Sequence, residues 1–221
     1  MIVGKFIEEC SNRFLCLVEL EGIVTECYVS SSSKLENYID LKNKKVMLVE
    51  NKGKKLRTKY TLQAAWINRR WVLLNLNCIN DLIMEYLLKQ KLCDKDCILR
   101  EHFVNEYKTD FFLPTLNMLM EGKGILSKSS QVIYPLVSCG RSIRQLQAIK
   151  NELQKGHKVR YIFVLMNPKI TEIQLNSKES LFSKLFYECL AEGMDIQFYS
   201  VRQYNGKFYL KNKANSEVSI T

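Results

Sequence analysis

The sequence predicts a two-part α+β protein, with a small N-terminal β-barrel followed by a mixed-sheet α/β domain. Two observations predict this fold class. Residues 1 to about 76 consist of short strand-like runs separated by turn residues. From residue 80 onward, amphipathic helical segments alternate with apolar strand segments. A chain of 221 residues accommodates one large domain or two small ones, and we place the boundary between residues 78 and 79.

The first domain, residues 1–78, is predicted to be a five-stranded barrel. The predicted strands cover residues 14–20, 23–29, 45–49, 60–66 and 70–74. Such a barrel is OB-like, and OB-like barrels commonly bind nucleic acids. Aromatic residues of this domain either stack on bases or fill the barrel core: Trp66, Trp71, Tyr28 and Tyr60.

The second domain, residues 79–221, begins with a helix at residues 80–90, for which Asn80 is either the N-cap or, with Asn75, a residue that shapes the domain junction or contacts backbone. Two further helices are predicted at 141–155, ending before Gly156, and at 180–190. The predicted strands cover residues 97–104, 107–113, 116–123, 159–165, 196–201 and 207–210. The order α-β-β-β-α-β, then α-β-β, is that of restriction-endonuclease-like domains, whose metal-binding carboxylates lie on the second and third strands.

Two carboxylates and a lysine fall on those strands. Asp110 lies on the second predicted strand, and Glu121 and Lys123 lie on the third. Side chains at positions i and i+2 of a strand point to one face, so Glu121 and Lys123 point the same way. A hairpin between the strands brings Asp110 beside them. The pattern predicts a site for Mg²⁺ or Mn²⁺ next to a scissile phosphate. From spacing alone, a salt bridge at an exposed sheet edge is the alternative.

Positive charge is concentrated in two stretches of this chain, whose formal net charge is +10. Residues 42–70 contain ten basic residues and a single acid, Glu50. A second basic stretch runs from residue 141 to residue 160. Clustered cations are typical of polyanion binding, although a solvated loop and a solvated helix face are the alternative. The candidate nucleic-acid-binding residues are Lys52, Lys54, Lys55, Arg57, Lys59, Arg141 and Arg144.

Composition excludes several classes of protein. No run reaches the roughly 18 apolar residues that a membrane span needs, and the N-terminus lacks a signal-peptide pattern, so we expect a cytoplasmic protein without a membrane partner. The 8 cysteines are scattered and lack zinc-site spacing, which favours reduced thiols. With 2 histidines and no serine nucleophile motif, a histidine-dependent hydrolase is not expected.

Several segments resemble the sugar fermentation stimulation protein A (SfsA) family. Lys108-Thr-Asp-Phe111 resembles its Arg-Ile-Asp-Phe motif, and Met120-Glu-Gly-Lys123 resembles its Val-Glu-Val-Lys motif. Val72-Leu-Leu-Asn75 and the following Asn80-Asp-Leu82 resemble another of its segments. The resemblance implies an OB-like N-terminal domain and a PD-(D/E)xK nuclease domain that acts on DNA or RNA.

The resemblance also implies roles for individual residues. Asp110 and Glu121 would ligate the metal, with the Gly122 carbonyl as a candidate third ligand, and Lys123 would orient the attacking water or stabilise the developing charge. Glu101 falls where the family has an acid and is a further candidate ligand. The chain departs from the family at Leu136 and Gly140, which replace acids, and at Gln145, which replaces a histidine.

Three functions remain open at this point. The first is a metal-dependent nuclease that hydrolyses phosphodiester bonds. The second is a DNA-binding or regulatory protein of the same fold without catalysis. The third is a scaffold whose basic loop binds an acidic protein.

Overall fold

The N-terminal part of the computed structural model is a closed five-stranded barrel with one strand added. The structure describes residues 2–31, 33–52, 57–91, 94–136, 140–176 and 180–221. The strands of the barrel part are β1 (Ile2–Glu9), β2 (Leu15–Leu20), β3 (Ile23–Tyr28), β4 (Lys45–Glu50), β5 (Tyr60–Ile67) and β6 (Arg70–Leu73). They pair in the order β3-β2-β1-β4-β5-β6, and a further β3–β5 pairing closes the barrel. The predicted OB-like barrel is therefore confirmed.

The strands that close the barrel are not the five that were predicted. Strand β1 was not predicted, because only Phe6 of its side chains is fully buried and the strand therefore lacks a clear apolar face. Strand β6 was predicted, but it pairs only with β5 and lies outside the closed barrel.

The C-terminal part contains a six-stranded mixed sheet between layers of helices. Its elements are α1 (Ile79–Lys89), β7 (Leu99–Val104), β8 (Tyr107–Leu113), β9 (Met118–Ile125), β10 (Gln131–Tyr134), α2 (Gly140–Gln154), β11 (Lys158–Leu165), β12 (Glu172–Leu175), α3 (Ser180–Ala191), β13 (Asp195–Tyr204), β14 (Lys207–Lys213) and β15 (Ser219–Ile220). The main sheet has the order β14-β13-β11-β9-β8-β7. Strands β9, β11 and β13 are parallel, so their carboxyl ends share one edge.

The predicted mixed-sheet α/β domain is confirmed, and β11 occupies the centre of the sheet as its continuous apolar sequence indicates. A second sheet of order β10-β12-β15 was not predicted, because its strands are only two to four residues long. These strands are too short for a period-two pattern to stand out from a loop.

The barrel and the α/β domain share one continuous hydrophobic core. This core includes Leu62 of β5, Ile83 of α1 and Met120 of β9. A second core lies on the other face of the main sheet, under α2 and α3. Among the described residues, no helix has the length and apolar character needed to cross a membrane.

Candidate active site

Strands β8 and β9 separate where the two acids lie. Their antiparallel ladder ends at the pair Phe111–Met120. Beyond that pair, hydrogen bonds between side chains of β8 and the backbone of β9 take the place of backbone-to-backbone hydrogen bonds. The Thr109 hydroxyl donates to the Met120 carbonyl at 2.8 Å, and the Gly122 N–H donates to Asp110 Oδ2 at 2.9 Å. The strands thus part into a wedge whose backbone groups are satisfied by Thr109 and Asp110.

Glu121 lies at the centre of a buried polar cluster. Its Oε1 atom accepts from Lys123 Nζ at 2.6 Å and from Gln145 Nε2 at 2.6 Å. Its Oε2 atom accepts from the Tyr107 hydroxyl at 2.6 Å. Lys123 Nζ also donates to Gln145 Oε1 at 2.7 Å, so that Glu121, Lys123 and Gln145 are each hydrogen-bonded to the other two. The Glu121 side chain is only 4% exposed, whereas that of Lys123 is 25% exposed.

The cluster shifts the pKa of each ionisable group at its centre. Burial raises the pKa of Glu121, and the Lys123 ammonium opposes that shift while the Asp110 charge adds to it. Burial by itself would lower the pKa of Lys123. The Glu121 charge, followed by contributions from Tyr134, the hydrogen bond to Glu121 and Asp110, outweighs burial, and the net shift of this pKa is upward. Burial, and next the Glu121 charge, hold the pKa of Tyr107 well above its ordinary value, so its hydroxyl remains a donor.

Asp110 is within electrostatic reach of Glu121 and is fixed from two sides. Besides the Gly122 N–H, its carboxylate accepts from Asn80 Nδ2 at 3.1 Å. Asn80 was predicted to be either the N-cap of α1 or a residue of the domain junction, and the N-cap alternative is wrong. The helix begins one residue earlier, at Ile79 with Cys78 as its N-cap residue, and the Asn80 amide is directed at Asp110 instead.

Two glycines of β9 allow α1 to lie close enough for this contact. A Cβ atom at Gly122 would lie 2.6 Å from Ile83 Cδ1, and one at Gly124 would lie 2.2 Å from Ile79 Cδ1. A larger residue at either position would displace the Ile83 or Ile79 side chain of the helix. The glycines therefore bring the start of α1, and with it Asn80, to the acids.

Glu101 lies on β7, between the residues that pair with Phe111 and Thr109 of β8, but the structure does not bring its carboxylate into the cluster. Its side chain is largely exposed and binds Lys108 Nζ at 2.7 Å. Hydrogen bonding to Lys108, with a smaller effect of Arg100, lowers its pKa. The backbone of Glu101 has φ of 47°, a left-handed value that is rare for glutamate. Its carboxylate is thus paired with Lys108 on the exposed surface, and the role of Glu101 as a metal ligand stays a prediction.

The candidate basic residues of the barrel are less free than the sequence indicated. Lys52 is exposed. Arg57 forms an ion pair with Glu26, at 3.1 Å from Nε to Oε1, and Lys59 lies 3.9 Å from the Glu50 carboxylate. The remaining two candidates, Lys54 and Lys55, lie outside the described residues. Glu26 is distant in sequence from the basic stretch, which is why counting charge along the chain missed this neutralisation.

Arg141 and Arg144 are exposed on the first turn of α2. Arg141 lines a cleft of about 640 Å³ between the barrel and the α/β domain, together with Arg13, Tyr38, Tyr134 and Gly124. Tyr134 of this cleft is within electrostatic reach of Lys123, so the cleft opens near the Glu121 cluster. Arg144 folds back toward Gly140 at the start of the helix.

The described residues contain no group of three His, Cys, Asp or Glu side chains positioned to hold a metal ion. Sequence reasoning missed Tyr107 and gave Gln145 only as a departure from the family pattern. The replacement at position 145 was a usable signal, whereas nothing in the sequence marked Tyr107.

Comparisons with known proteins agree along nearly the whole chain. The family model described as the SfsA N-terminal OB domain matches residues 10–74, and that of the sugar fermentation stimulation protein RE domain matches residues 77–206. A sugar fermentation stimulation protein homolog of Natranaerobius thermophilus is 24% identical over 214 residues, covering 91% of this chain and 88% of that protein. A homolog of the same name from Saccharolobus solfataricus is 24% identical over 193 residues, covering 86% and 75%.

A solved structure, described as Pyrococcus furiosus SfsA in complex with Ca²⁺, has the same fold. It superposes with a TM-score of 0.81 at 16% sequence identity and covers 100% of this chain and 95% of that chain. At this identity the likeness concerns the fold.

Proposed function

The chain belongs to the sugar fermentation stimulation protein family, and from this premise we propose that it is a metal-dependent nuclease. The observation that carries the proposal is the convergence of Asp110, Glu121 and Lys123 where β8 and β9 separate. Two carboxylates and an ammonium group beside a cleft between the barrel and the α/β domain suit hydrolysis of a phosphodiester bond.

The donor set fits a hard divalent cation such as Mg²⁺ or Mn²⁺. Mg²⁺ is usually held by one or two carboxylates and keeps several waters, so two acids suffice. The Asp110 charge raises the pKa of Glu121, which means that the two carboxylates repel each other across the wedge. A cation between them would relieve this repulsion. Asp110 and Glu121 are the proposed ligands, with the Gly122 carbonyl as the candidate third.

Each remaining residue of the cluster has a role in the proposed reaction. When bound, the cation would supply an acidified water and positive charge beside the phosphate. Lys123, kept protonated by Glu121, would orient the attacking water or stabilise the charge that develops on the phosphate. Tyr107 and Gln145 hold the Glu121 carboxylate in one orientation. Arg141 would bind a phosphate in the adjoining cleft.

One observation favours a second candidate function, nucleic-acid binding without turnover. Glu121 already accepts three hydrogen bonds, from Lys123, Gln145 and Tyr107. A carboxylate offers about four acceptor positions, so little capacity remains for a metal unless one donor withdraws. In this alternative, the cluster stabilises the fold and the basic surfaces do the binding.

A nuclease assay with matched variants separates the two functions. Labelled single- and double-stranded DNA and RNA are incubated with Mn²⁺ or Mg²⁺ and the wild type, Asp110→Asn or Lys123→Ala. Asp81→Asn is the control, since Asp81 is an exposed acid on α1 paired with Arg100. We expect cleavage by the wild type and the control, and at least a 100-fold loss in the other two variants.

Binding of Mn²⁺ is measured separately by calorimetry, so that inactivity is not confused with loss of the metal site. We expect Asp110→Asn to abolish the binding heat and Asp81→Asn to retain it. Equal cleavage by all four proteins would refute the catalytic proposal. An inactive wild type that still binds nucleic acid in a salt-sensitive manner would establish the second function.

A further inference from the structure

A second, basic pocket lies at the same edge of the sheet as the candidate active site, and nothing in the proposed chemistry uses it. We define the Trp66 pocket as the concavity of about 410 Å³ lined by Trp66, Trp71, Arg69, Arg70 and Arg202, with Pro168 on one wall. Its volume suits a ligand of nucleotide size.

Two aromatic side chains and three arginines meet in this pocket. Trp66 and Trp71 are in edge contact at 5.3 Å between ring centroids, and Trp66 is 40% exposed. Arg69 and Arg70 come from the β5–β6 hairpin, whereas Arg202 comes from β13 of the α/β domain. The pocket therefore exists only because the barrel packs against the sheet.

No acid in the described part of the chain neutralises the positive charge of this surface. A narrow cleft adjoins the pocket and contains Lys128 and Lys169, and it shares Arg70 with the pocket. No acidic residue lines either concavity. Within the part of the chain that the structure describes, Arg69, Arg70, Arg202, Lys128 and Lys169 form no ion pair.

Arg202 is the least compensated of these cations. Its Nε atom is buried and has no hydrogen-bond partner among the described residues. Lys213, a cation that lines neither concavity, lies near Arg202. Burial lowers the pKa of Lys213 and the Arg202 charge lowers it further, against the opposing effect of Glu217. Cations kept close together in this way are stabilised when an anion binds beside them.

The topology connects this pocket to the candidate active site. Lys128, Lys169 and Arg202 come from segments at the carboxyl ends of β9, β11 and β13, three consecutive parallel strands. By register, Lys123 is level with Phe198 of β13. Two strand spacings of about 4.8 Å and four residue rises of about 3.3 Å then place Arg202 roughly 16 Å from Lys123.

Three concavities follow one another between the two sites. Tyr38 and Leu126 line the cleft beside Lys123, whereas Ile39, next to Tyr38, and Lys128, two residues after Leu126, line the narrow cleft. The narrow cleft shares Arg70 with the Trp66 pocket. At about 3.4 Å per nucleotide of a stacked strand, the straight separation of roughly 16 Å corresponds to about five nucleotides.

We call the cleft beside Lys123, the narrow cleft and the Trp66 pocket together the groove. We propose that the groove binds a single strand of nucleic acid. Its phosphates would lie on the five cations named above, and one base would lie in the Trp66 pocket. The proposal rests on the proposed function, because it identifies the occupant as the nuclease substrate. Single-stranded bases stack on exposed aromatic rings and arginine planes, whereas the bases of a duplex are enclosed and cannot reach Trp66. The substrate class is therefore single-stranded DNA or RNA, or a single-stranded extension of a duplex.

The test measures binding without cleavage. Fluorescence anisotropy of labelled dT20, U20 and a 20-base-pair duplex is recorded in EDTA for the wild type, Trp66→Ala, Trp66→Phe and Arg202→Met. Lys184→Met is the control, since Lys184 is an exposed cation on α3, remote from the groove. Thermal unfolding of each variant verifies that it folds.

We expect Trp66→Ala to weaken single-strand binding at least tenfold, Trp66→Phe to retain most of it, and Lys184→Met to leave it unchanged. Arg202→Met should reduce the slope of log affinity against log salt by about 0.7, the value for one phosphate contact on a single strand. Comparison of dT20 with U20 identifies the preferred sugar.

Single-strand affinity within twofold of the wild type for both Trp66→Ala and Arg202→Met would overturn the proposal, as would equal losses on the duplex. The two proposals fail in different ways. If the wild type cleaves nothing but the pocket variants lose single-strand binding, the groove proposal stands and the nuclease proposal fails. If the pocket variants bind and cleave as the wild type does, the groove proposal fails and the nuclease proposal stands.

Discussion

Replacing Lys123 by methionine tests whether the Lys123–Glu121 pair is a buried, coupled pair. The two charged groups are 2.6 Å apart, and the Glu121 side chain is only 4% exposed. Methionine keeps the apolar stem of the lysine and removes its charge. The Glu121 carboxylate then stays buried with hydrogen bonds from Gln145 and Tyr107, but without a neutralising cation.

The expected cost follows from burial. Removing one partner of a buried ion pair typically destabilises a protein by about 3–5 kcal/mol. Glu121 retains two donors and Lys123 is a quarter exposed, so we expect the low end of this range, about 3 kcal/mol at pH 7.5. Without Lys123, burial raises the pKa of Glu121 further. A carboxyl pKa that is higher in the folded state costs stability above the ordinary value of 4.5, and this cost vanishes below it.

Urea unfolding at pH 7.5 and pH 5 measures this dependence. The loss in Lys123→Met should be smaller at pH 5, and the double variant Lys123→Met/Glu121→Gln should recover most of it at pH 7.5. The control is Lys108→Met, which removes a lysine from a pair of similar length, 2.7 Å, on the exposed surface, and little change is expected. Equal losses at both pH values, or a double variant no more stable than the single one, would refute the reasoning.

Three further predictions concern the surroundings of the site. Gly124→Ala should destabilise the protein by about 1–3 kcal/mol in urea unfolding, because the new methyl group would lie 2.2 Å from Ile79 Cδ1, and adding Ile79→Val should restore part of the loss. Asn80→Ala removes a hydrogen bond to Asp110 and should weaken Mn²⁺ binding about 10-fold to 100-fold by calorimetry, and an unchanged affinity would show that Asn80 does not position the ligand. Glu101→Gly should have a higher urea midpoint than Glu101→Ala, since both lose the same side chain but only glycine adopts a φ of 47° without strain, and the reverse order would contradict a left-handed residue here.

Long elements were predictable from sequence because each carries its own periodic signal. The helix at Gly140–Gln154 buries Leu146, Ile149 and Leu153 at helical spacing. The central strand Lys158–Leu165 is a continuous apolar run, as burial on both faces requires. Short strands such as Ser219–Ile220 have no such signal, because their pairing depends on neighbours distant in sequence.

The candidate site was predictable in its charged residues but not in its neutral ones. Asp110, Glu121 and Lys123 have a spacing and an element order that indicate chemistry. Tyr107 and Asn80 reach the same site only because β8 separates from β9 and α1 packs on glycines. Neither event leaves a mark in the local sequence, since both depend on contacts between separate elements.

The sequence by itself therefore determined the barrel, the mixed sheet and the positions of the two acids and the lysine. Propensity, periodicity and turn residues are local properties, so short stretches of the sequence are enough to reveal them. The tertiary structure decided which charges remain free. It paired Arg57 with Glu26 and Glu101 with Lys108, and it left Arg202 near Trp66 without an ion pair to any residue that the structure describes. Charge neutralisation depends on distance in space, so only the packed fold reveals which cations are available to a polyanion.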